Sequence, residues 1–177
     1  MEMITILSGT NRKDNLSSRV AAVYAGLLKK KGLRHHLLSL EDLPEDFLRA
    51  SLFHDTAKAP GFEAWQEKYL VPAGKFIFVM PEYNGSIPGI LKLLIDSVDI
   101  KRVFYHKKAM LTGVSSGRAG NLRGLDHLTN ILNYLKVSVY HNKLPISRIN
   151  EELDERGFKA ADTRRVVEDQ LLGFLDF

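Results

Sequence analysis

The chain has 177 residues, 45% of them apolar and 26% charged. That is enough for one domain with a real core, and no apolar run approaches the roughly 20 residues that a bilayer span needs. It contains no cysteine, which excludes disulfides, thiol catalysis and thiolate metal sites. A formal net charge of +4, spread along the chain, suits small anionic ligands and argues little for nucleic acid.

Met1 to Ile4 has no basic segment ahead of its short apolar run, so it does not read as a signal peptide, and the cytoplasm is the expected location. Met3 to Leu7 is a β-branched and apolar run suited to a central first strand. After Ser8 to Ser18, the residues Val20, Ala21, Val23, Tyr24, Leu27 and Leu28 recur at three- and four-residue spacings. That helix is closed by Lys29, Lys30, Lys31 and Gly32, the residue types that end helices. Arg34 to Leu40 reads as a second strand. Residues 41–60 read as irregular, with a turn at Pro44. Phe62, Trp65, Tyr69 and Leu70 mark a helix, and Phe76 to Met80 a third, buried strand.

Ile90, Leu91, Leu94, Ile95 and Val98 carry a helix to about Asp99, opened by Pro88 in its first turn. Ala109 to Val114 is a fourth strand. Leu122, Leu125, Leu128, Leu132 and Leu135 form the clearest helical stripe of the chain, Val137 to Tyr140 a short fifth strand, and Arg164 to Phe177 a closing amphipathic helix. Strands alternating with helices predict a parallel sheet covered on both faces, and five strands favour the flavodoxin-like order 2-1-3-4-5. No repeat, low-complexity segment or linker interrupts residues 1–177, so a single domain is expected.

In that topology the loops after strands one, three and four leave the same, carboxyl edge of the sheet, where open α/β sheets bind ligands. The first loop offers Ser8, Thr10, Asn11, Arg12, Asn15, Ser17 and Ser18 directly before a helix. Hydroxyls and a guanidinium fork at a helix N-terminus fit a phosphate; the plainer alternative is an N-cap at Ser17 or Ser18 in a solvated loop. The second loop, Pro81-Glu82-Tyr83-Asn84-Gly85 and on to Pro88 and Gly89, combines two backbone-fixing prolines, an aromatic, an amide and glycines, which let a flat ligand approach; alone, it could also be an ordinary strand-to-helix connection. The third runs from Ser115 to Asn121.

Other chemistries are poorly represented. The chain has no G-x-x-x-x-G-K-[ST], and Gly117, Gly120 and Gly124 have the wrong spacing for a dinucleotide fingerprint. His35, His36, His54, His106, His127 and His141 form no compact ligand set, so no metal site is expected.

The second loop and its helix, P-E-Y-N-x-x-x-P-G-x-L-K-x-x-I-D, resemble the flavin-contacting segment of the NADPH-dependent FMN reductase family, which includes azo- and quinone reductases. The first loop resembles that family's phosphate segment, commonly G-S-x-R-x-x-S-x-N: Gly9, Thr10 and Arg12 match, and Asn15 and Ser17 stand with their types exchanged. The third resembles S-x-G-x-x-G-G through Ser115, Gly117 and Gly120, whereas Arg118 and Asn121 replace residues that are often Gly. Leu93 and Ser97 depart from the family's usual Asn and Trp.

The resemblance implies an FMN-dependent NAD(P)H oxidoreductase. Thr10, Arg12, Asn15, Leu16 (through its N–H) and Ser17 would hold the ribityl phosphate. Pro81, Glu82, Tyr83, Asn84 and Gly85 would meet one edge of the isoalloxazine, and Ser115, Gly117 and Gly120 its other side. Hydride transfer needs no protein acid or base, so Glu82 is given a positioning role and no catalytic residue is named. Electrons would pass from NADPH or NADH to FMN and on to a quinone, azo compound, nitroaromatic, chromate or free flavin by a ping-pong scheme. A homodimer or homotetramer is implied. Arg118 could hold a nucleotide phosphate or face solvent. A flavodoxin-like electron carrier without its own substrate remains the alternative, though such carriers tend to be strongly acidic and this chain is basic.

Overall fold

The computed structural model describes residues 2–49 and 59–177. Strand β1 (Met3–Ser8) leads to helix α1 (Leu16–Lys30), β2 (His35–Ser39), a 3-10 turn at Leu40–Asp42, α2 (Pro60–Tyr69) and β3 (Ala73–Pro81). Then come α3 (Gly89–Ser97), α4 (Ile100–Val103), β4 (Lys108–Val114) and α5 (Leu122–Tyr134). The chain continues through β5 (Ser138–Val139), β6 (Leu144–Ile146), α6 (Ile149–Glu152), β7 (Leu153–Asp154), β8 (Gly157–Phe158) and α7 (Ala161–Asp176). The middle of the irregular stretch expected over 41–60 lies outside the described residues.

The main sheet is parallel, in the order β2-β1-β3-β4-β5, the flavodoxin-like order. Along β3 the side chains alternate with the two-residue strand period. Phe76, Phe78 and Met80 face the core under α2, α3 and α5, where Leu91, Leu94, Leu125 and Leu128 meet them. Ile77 and Val79 face the opposite core with Val20, Tyr24 and Leu28 of α1 and Leu171 and Phe174 of α7. A strand buried on both faces has no polar side, which is why residues 76–80 are uninterruptedly apolar.

The fifth strand is in two pieces. β5 pairs the start of β4, Lys108↔Ser138 and Ala109↔Val139, and β6 pairs its end, Thr112↔Leu144 to Val114↔Ile146. Between them the ladder is open, and Gln170 of α7 fills the gap: its Nε2 donates to Leu111 O (3.0 Å) and Asn142 O (2.8 Å). Its Oε1 accepts from the hydroxyls of Tyr24 (2.6 Å) and Thr112 (3.1 Å). All three side chains are fully buried, where unpaired polar groups are costly.

The amino edge of the sheet is closed by lysines. Lys75 Nζ donates to Phe174 O and Leu175 O, Lys107 Nζ to Leu70 O and Val71 O, and Lys108 Nζ to Phe177 O. Each satisfies carbonyls at the C-terminal end of α2 or α7, where a cation is favoured. The carboxyl edge is the one left open.

Gln170→Leu leaves the carbonyls of Leu111 and Asn142 without the amide donor and the hydroxyls of Tyr24 and Thr112 with only each other (2.9 Å), and is expected to cost about 2–4 kcal/mol of stability, at roughly 1–3 kcal/mol per orphaned group softened by rearrangement. Urea unfolding measures it; a loss below about 0.5 kcal/mol would mean the gap repairs itself.

Candidate functional site

The first loop builds an uncapped pair of helix donors. Asn15, extended at φ −75°, is the N-cap of α1, not Ser17 or Ser18. Its Oδ1 accepts from Ser18 N (2.8 Å), Ser18 Oγ (3.0 Å) and Ser8 Oγ (3.2 Å), and its Nδ2 donates to Arg12 O (2.7 Å). The cap takes the Ser18 N–H and leaves the N–H groups of Leu16 and Ser17 without partners among the described residues. They point where a helix N-terminus favours an anion. Asn15 thereby shapes the cradle with most of its bonding capacity already used.

Thr10 is fully buried, and its hydroxyl lies 2.6 Å from the phenol of Tyr83, so it ties the first loop to the second. The Arg12 guanidinium stacks over the Tyr83 ring at 4.0 Å from its centroid. Arg12, Leu16 and Ser17 line a cleft of about 320 Å³ with Pro81, Glu82, Tyr83 and Ser115.

The second loop is a two-residue hairpin turn. Tyr83 N donates to Ser86 O (3.0 Å) and Ser86 N to Tyr83 O (3.1 Å), with Asn84 at φ 52° and Gly85 at φ 74°. Two consecutive left-handed residues are what Asn-Gly supplies at least cost. The Glu82 N–H is used by Val114 O (2.9 Å), and the N–H groups of Asn84 and Gly85 have no partner among the described residues. Pro88 is the N-cap of α3, one residue before the first turn in which the sequence pattern had it.

In the third loop the Ser115 hydroxyl accepts from Gly120 N (2.9 Å) and donates to Gly117 O (3.1 Å), so it organises the loop from within. Arg148 N donates to Gly117 O and Ile149 N to Ser115 O, which brace it from the segment after β6. Gly117 is exposed, and a Cβ there would meet nothing within 4 Å. Gly120 is different: at φ 58° and buried, its absent Cβ would stand 2.6 Å from Pro145, so it serves packing behind the surface. Glu82, Asn84, Gly85, Ser115, Gly117 and Arg118 surround a second depression, of about 300 Å³, that shares Glu82, Ser115 and Ser116 with the first cleft.

Asn121 joins the two sides. It is fully buried at φ 65°, and its Nδ2 donates to Met80 O (3.2 Å) and Pro81 O (3.0 Å). Its own N–H donates to Glu82 Oε2 (3.1 Å). The left-handed backbone explains why glycine is common at the matching place in the family the segment resembles, since Gly and then Asn adopt it most readily.

Sequence patterns brought the three loops together but missed other residues of the clefts. Ser116 and Ala119 lay inside a loop already marked, and Lys13 and Asp14 inside another. Ile149 and Asn150 come from a segment with no periodic signal. Among the described residues no group of His, Asp and Glu could hold a metal ion, and no helix is long and apolar enough to cross a membrane.

Residues 3–151 match the model of a family described as NADPH-dependent FMN reductase. The chain is 28% identical over 172 residues to an NAD(P)H-dependent FMN reductase of Pseudomonas aeruginosa, covering 93% of this chain and 89% of that protein. It is 24% identical over 173 residues to a 2-hydroxy-1,4-benzoquinone reductase of a Burkholderia species, covering 93% and 90%. Its fold is similar to that of a flavoenzyme NAD(P)H:(acceptor) oxidoreductase from Paracoccus denitrificans, with a TM-score of 0.78 at 22% identity over 99% of this chain and 96% of that one.

Two substitutions separate what Asn121 does. Asn121→Gly keeps the left-handed backbone and loses the side-chain bonds; Asn121→Ala loses both. Asn121→Ala should be less stable than Asn121→Gly by about 1–2 kcal/mol, the cost of the left-handed conformation for a residue with a Cβ, as read from paired denaturation curves.

Proposed function

Because the chain belongs to the NADPH-dependent FMN reductase family, we propose that its whole length forms one FMN-binding domain that carries electrons from NADPH or NADH to a small acceptor. The observation that carries the assignment to these residues is the pair of free N–H groups at Leu16 and Ser17, continuous with a depression flanked by the hairpin turn and Gly117. The donor set suits a phosphomonoester at one end. Beyond it, the open space at Gly117 and the bare N–H groups of Asn84 and Gly85 suit a flat heteroaromatic edge.

In this assignment Leu16, Ser17 and Arg12 hold the phosphate, with Asn15 fixing the backbone that presents the two N–H groups. Thr10 holds Tyr83 in place, and Tyr83 supports the Arg12 guanidinium. Pro81 to Gly85 orient one edge of the ring, Ser115 and Gly117 line the other side, and Gly120 lets that loop close. Glu82 is a positioning residue. When bound, the flavin supplies the hydride-accepting and electron-donating chemistry, and the protein supplies binding, orientation and shielding.

The depression has the sheet edge below and loops on two sides, so nicotinamide and acceptor use the remaining side in turn, a ping-pong scheme. A quinone is the acceptor to test first, given the hydroxybenzoquinone reductase among the relatives; azo compounds, nitroaromatics, chromate and free flavin follow. A homodimer or homotetramer in the cytoplasm completes the proposal.

The purified protein should retain about one FMN per chain after desalting. Arg12→Ala should weaken FMN binding by about 1.5–3 kcal/mol, the usual worth of a hydrogen bond to a charged group, and leave riboflavin, which lacks the phosphate, almost unaffected. Equal harm to both ligands would make Arg12 structural.

Initial rates against NADPH at several fixed quinone concentrations should give parallel double-reciprocal lines. Intersecting lines would remove the shared-side scheme and leave the flavin assignment standing.

A further inference from the structure

Two arginines meet at Gly85 and have no ionic partner. Arg118, exposed on the loop after β4, lines the ring depression with Asn84 and Gly85. Arg123, exposed in the first turn of α5, brings a guanidinium nitrogen to 3.8 Å from where a Gly85 Cβ would stand. The ion pairs among the described residues engage Arg102, Arg148, Arg165, Lys92 and Lys143, and neither of these two. No hydrogen bond from either guanidinium is present among the described residues.

The surroundings do not neutralise them. Glu82 is the one carboxylate lining the same depression, and its Oε2 accepts from Asn121 N. The first turn of α5 holds no acid, although the helix dipole favours one there, and Arg123 occupies that turn instead. His127, one turn further along, has its Nδ1 engaged with Ser86 Oγ at 2.8 Å. Two guanidinium groups without partners among the described residues therefore flank Gly85, the one turn residue without a side chain: Arg118 in the wall of the depression and Arg123 beside the turn. A guanidinium is weakly hydrated and presents a planar fork that matches oxyanions.

We propose that Arg118 and Arg123 form an anion-recognising rim that selects substrates carrying a negative charge at the open side of the depression. This deepens the proposed function and rests on it. The charge has two possible sources, the 2′-phosphate on the adenosine ribose of NADPH or the ionised ring hydroxyl of a hydroxyquinone, and the shared chemistry is an oxyanion received by a guanidinium fork.

The test uses the FMN-loaded protein and two substrate pairs: NADPH against NADH, and an ionised hydroxybenzoquinone against its neutral methoxy analogue. Ratios of kcat/KM within each pair are compared for wild type, Arg118→Gln, Arg123→Gln and the double variant. Binding to the oxidised protein is followed in parallel by flavin absorbance, with NADP+, which keeps the 2′-phosphate and has no hydride to give, standing for NADPH, and with the hydroxybenzoquinone.

The double variant should lower the ratio of at least one pair about tenfold or more, the effect of losing a hydrogen bond to a charged group, and weaken binding of that charged compound. The pair that moves identifies the source. Rising salt should shrink the wild-type ratio and leave that of the double variant nearly flat. Arg118→Glu should penalise the charged member further.

Ratios and binding constants within twofold of wild type in a double variant that still holds one FMN per chain would overturn the rim. Loss of FMN from the double variant would also overturn it, by making the arginines part of the cofactor site. A wild type that binds no FMN would instead refute the function on which the rim rests.

Discussion

The carbonyls of Met80 and Pro81 stand at the very end of β3, and the side-chain amide of Asn121 donates to both. Without it, the Pro81 carbonyl at a buried loop junction would need another donor, and a peptide group denied a partner away from water is costly. The same residue's N–H holds Glu82 Oε2, so the loop after β3 and the loop after β4 are fixed to each other before any ligand arrives. Gly124 leaves the room that the Asn121 side chain fills, and Gly113 the room for the backbone of Gly120. The distance between the two loops is thus set inside the protein, and a flat ligand meets a slot of defined width.

The two edges of the sheet contrast in how their polar groups are satisfied. At the amino edge, long lysine side chains reach the last carbonyls of α2 and α7. At the carboxyl edge, short side chains, namely Asn15, Ser115 and Asn121, bond to nearby backbone, and selected N–H groups are left over. Long cations close a surface, whereas short amides and hydroxyls shape one and leave it accessible. That difference, more than the identity of any one residue, makes one edge a floor for ligands.

Much of this was legible in the sequence, and the failures have physical causes. Residues 76–80 announced a doubly covered strand because a strand exposed on one face would alternate apolar with polar residues, and this short run does not. The stripe from Leu122 to Leu135 announced its helix because the face carrying Leu125, Leu128, Leu132 and Leu135 is core, although Leu122 at its start is exposed. The fifth strand misled: residues 137–140 look continuous, yet the ladder breaks and resumes at Leu144, held by Gln170, which lies 28 residues beyond Asn142. The plainer alternative for the first loop, a cap at Ser17 or Ser18, lies two or three residues beyond the actual cap Asn15, because serine, threonine, asparagine and aspartate compete on nearly equal terms for that place and only backbone geometry chooses. Asn121 was noticed as a departure, but its role depends on carbonyls 40 and 41 residues away. Long-range polar bonds leave no periodic trace.

The lysines of the amino edge also make the folded chain a proton sensor. Burial pulls the Lys107 ammonium down to about 8 from its ordinary 10.5. Between those two values the unfolded chain binds the proton that the folded chain has released, so this group's contribution to stability rises with pH across that window. Lys75 is shifted in the same direction, chiefly by burial and next by the charge of Lys108. Tyr24 sets the opposing limit: burial raises its phenol above the ordinary 10, so above that pH the unfolded chain sheds a proton the folded one keeps, and stability falls. Together these groups make their contribution to stability greatest on the alkaline side of neutrality, in a chain of positive net charge.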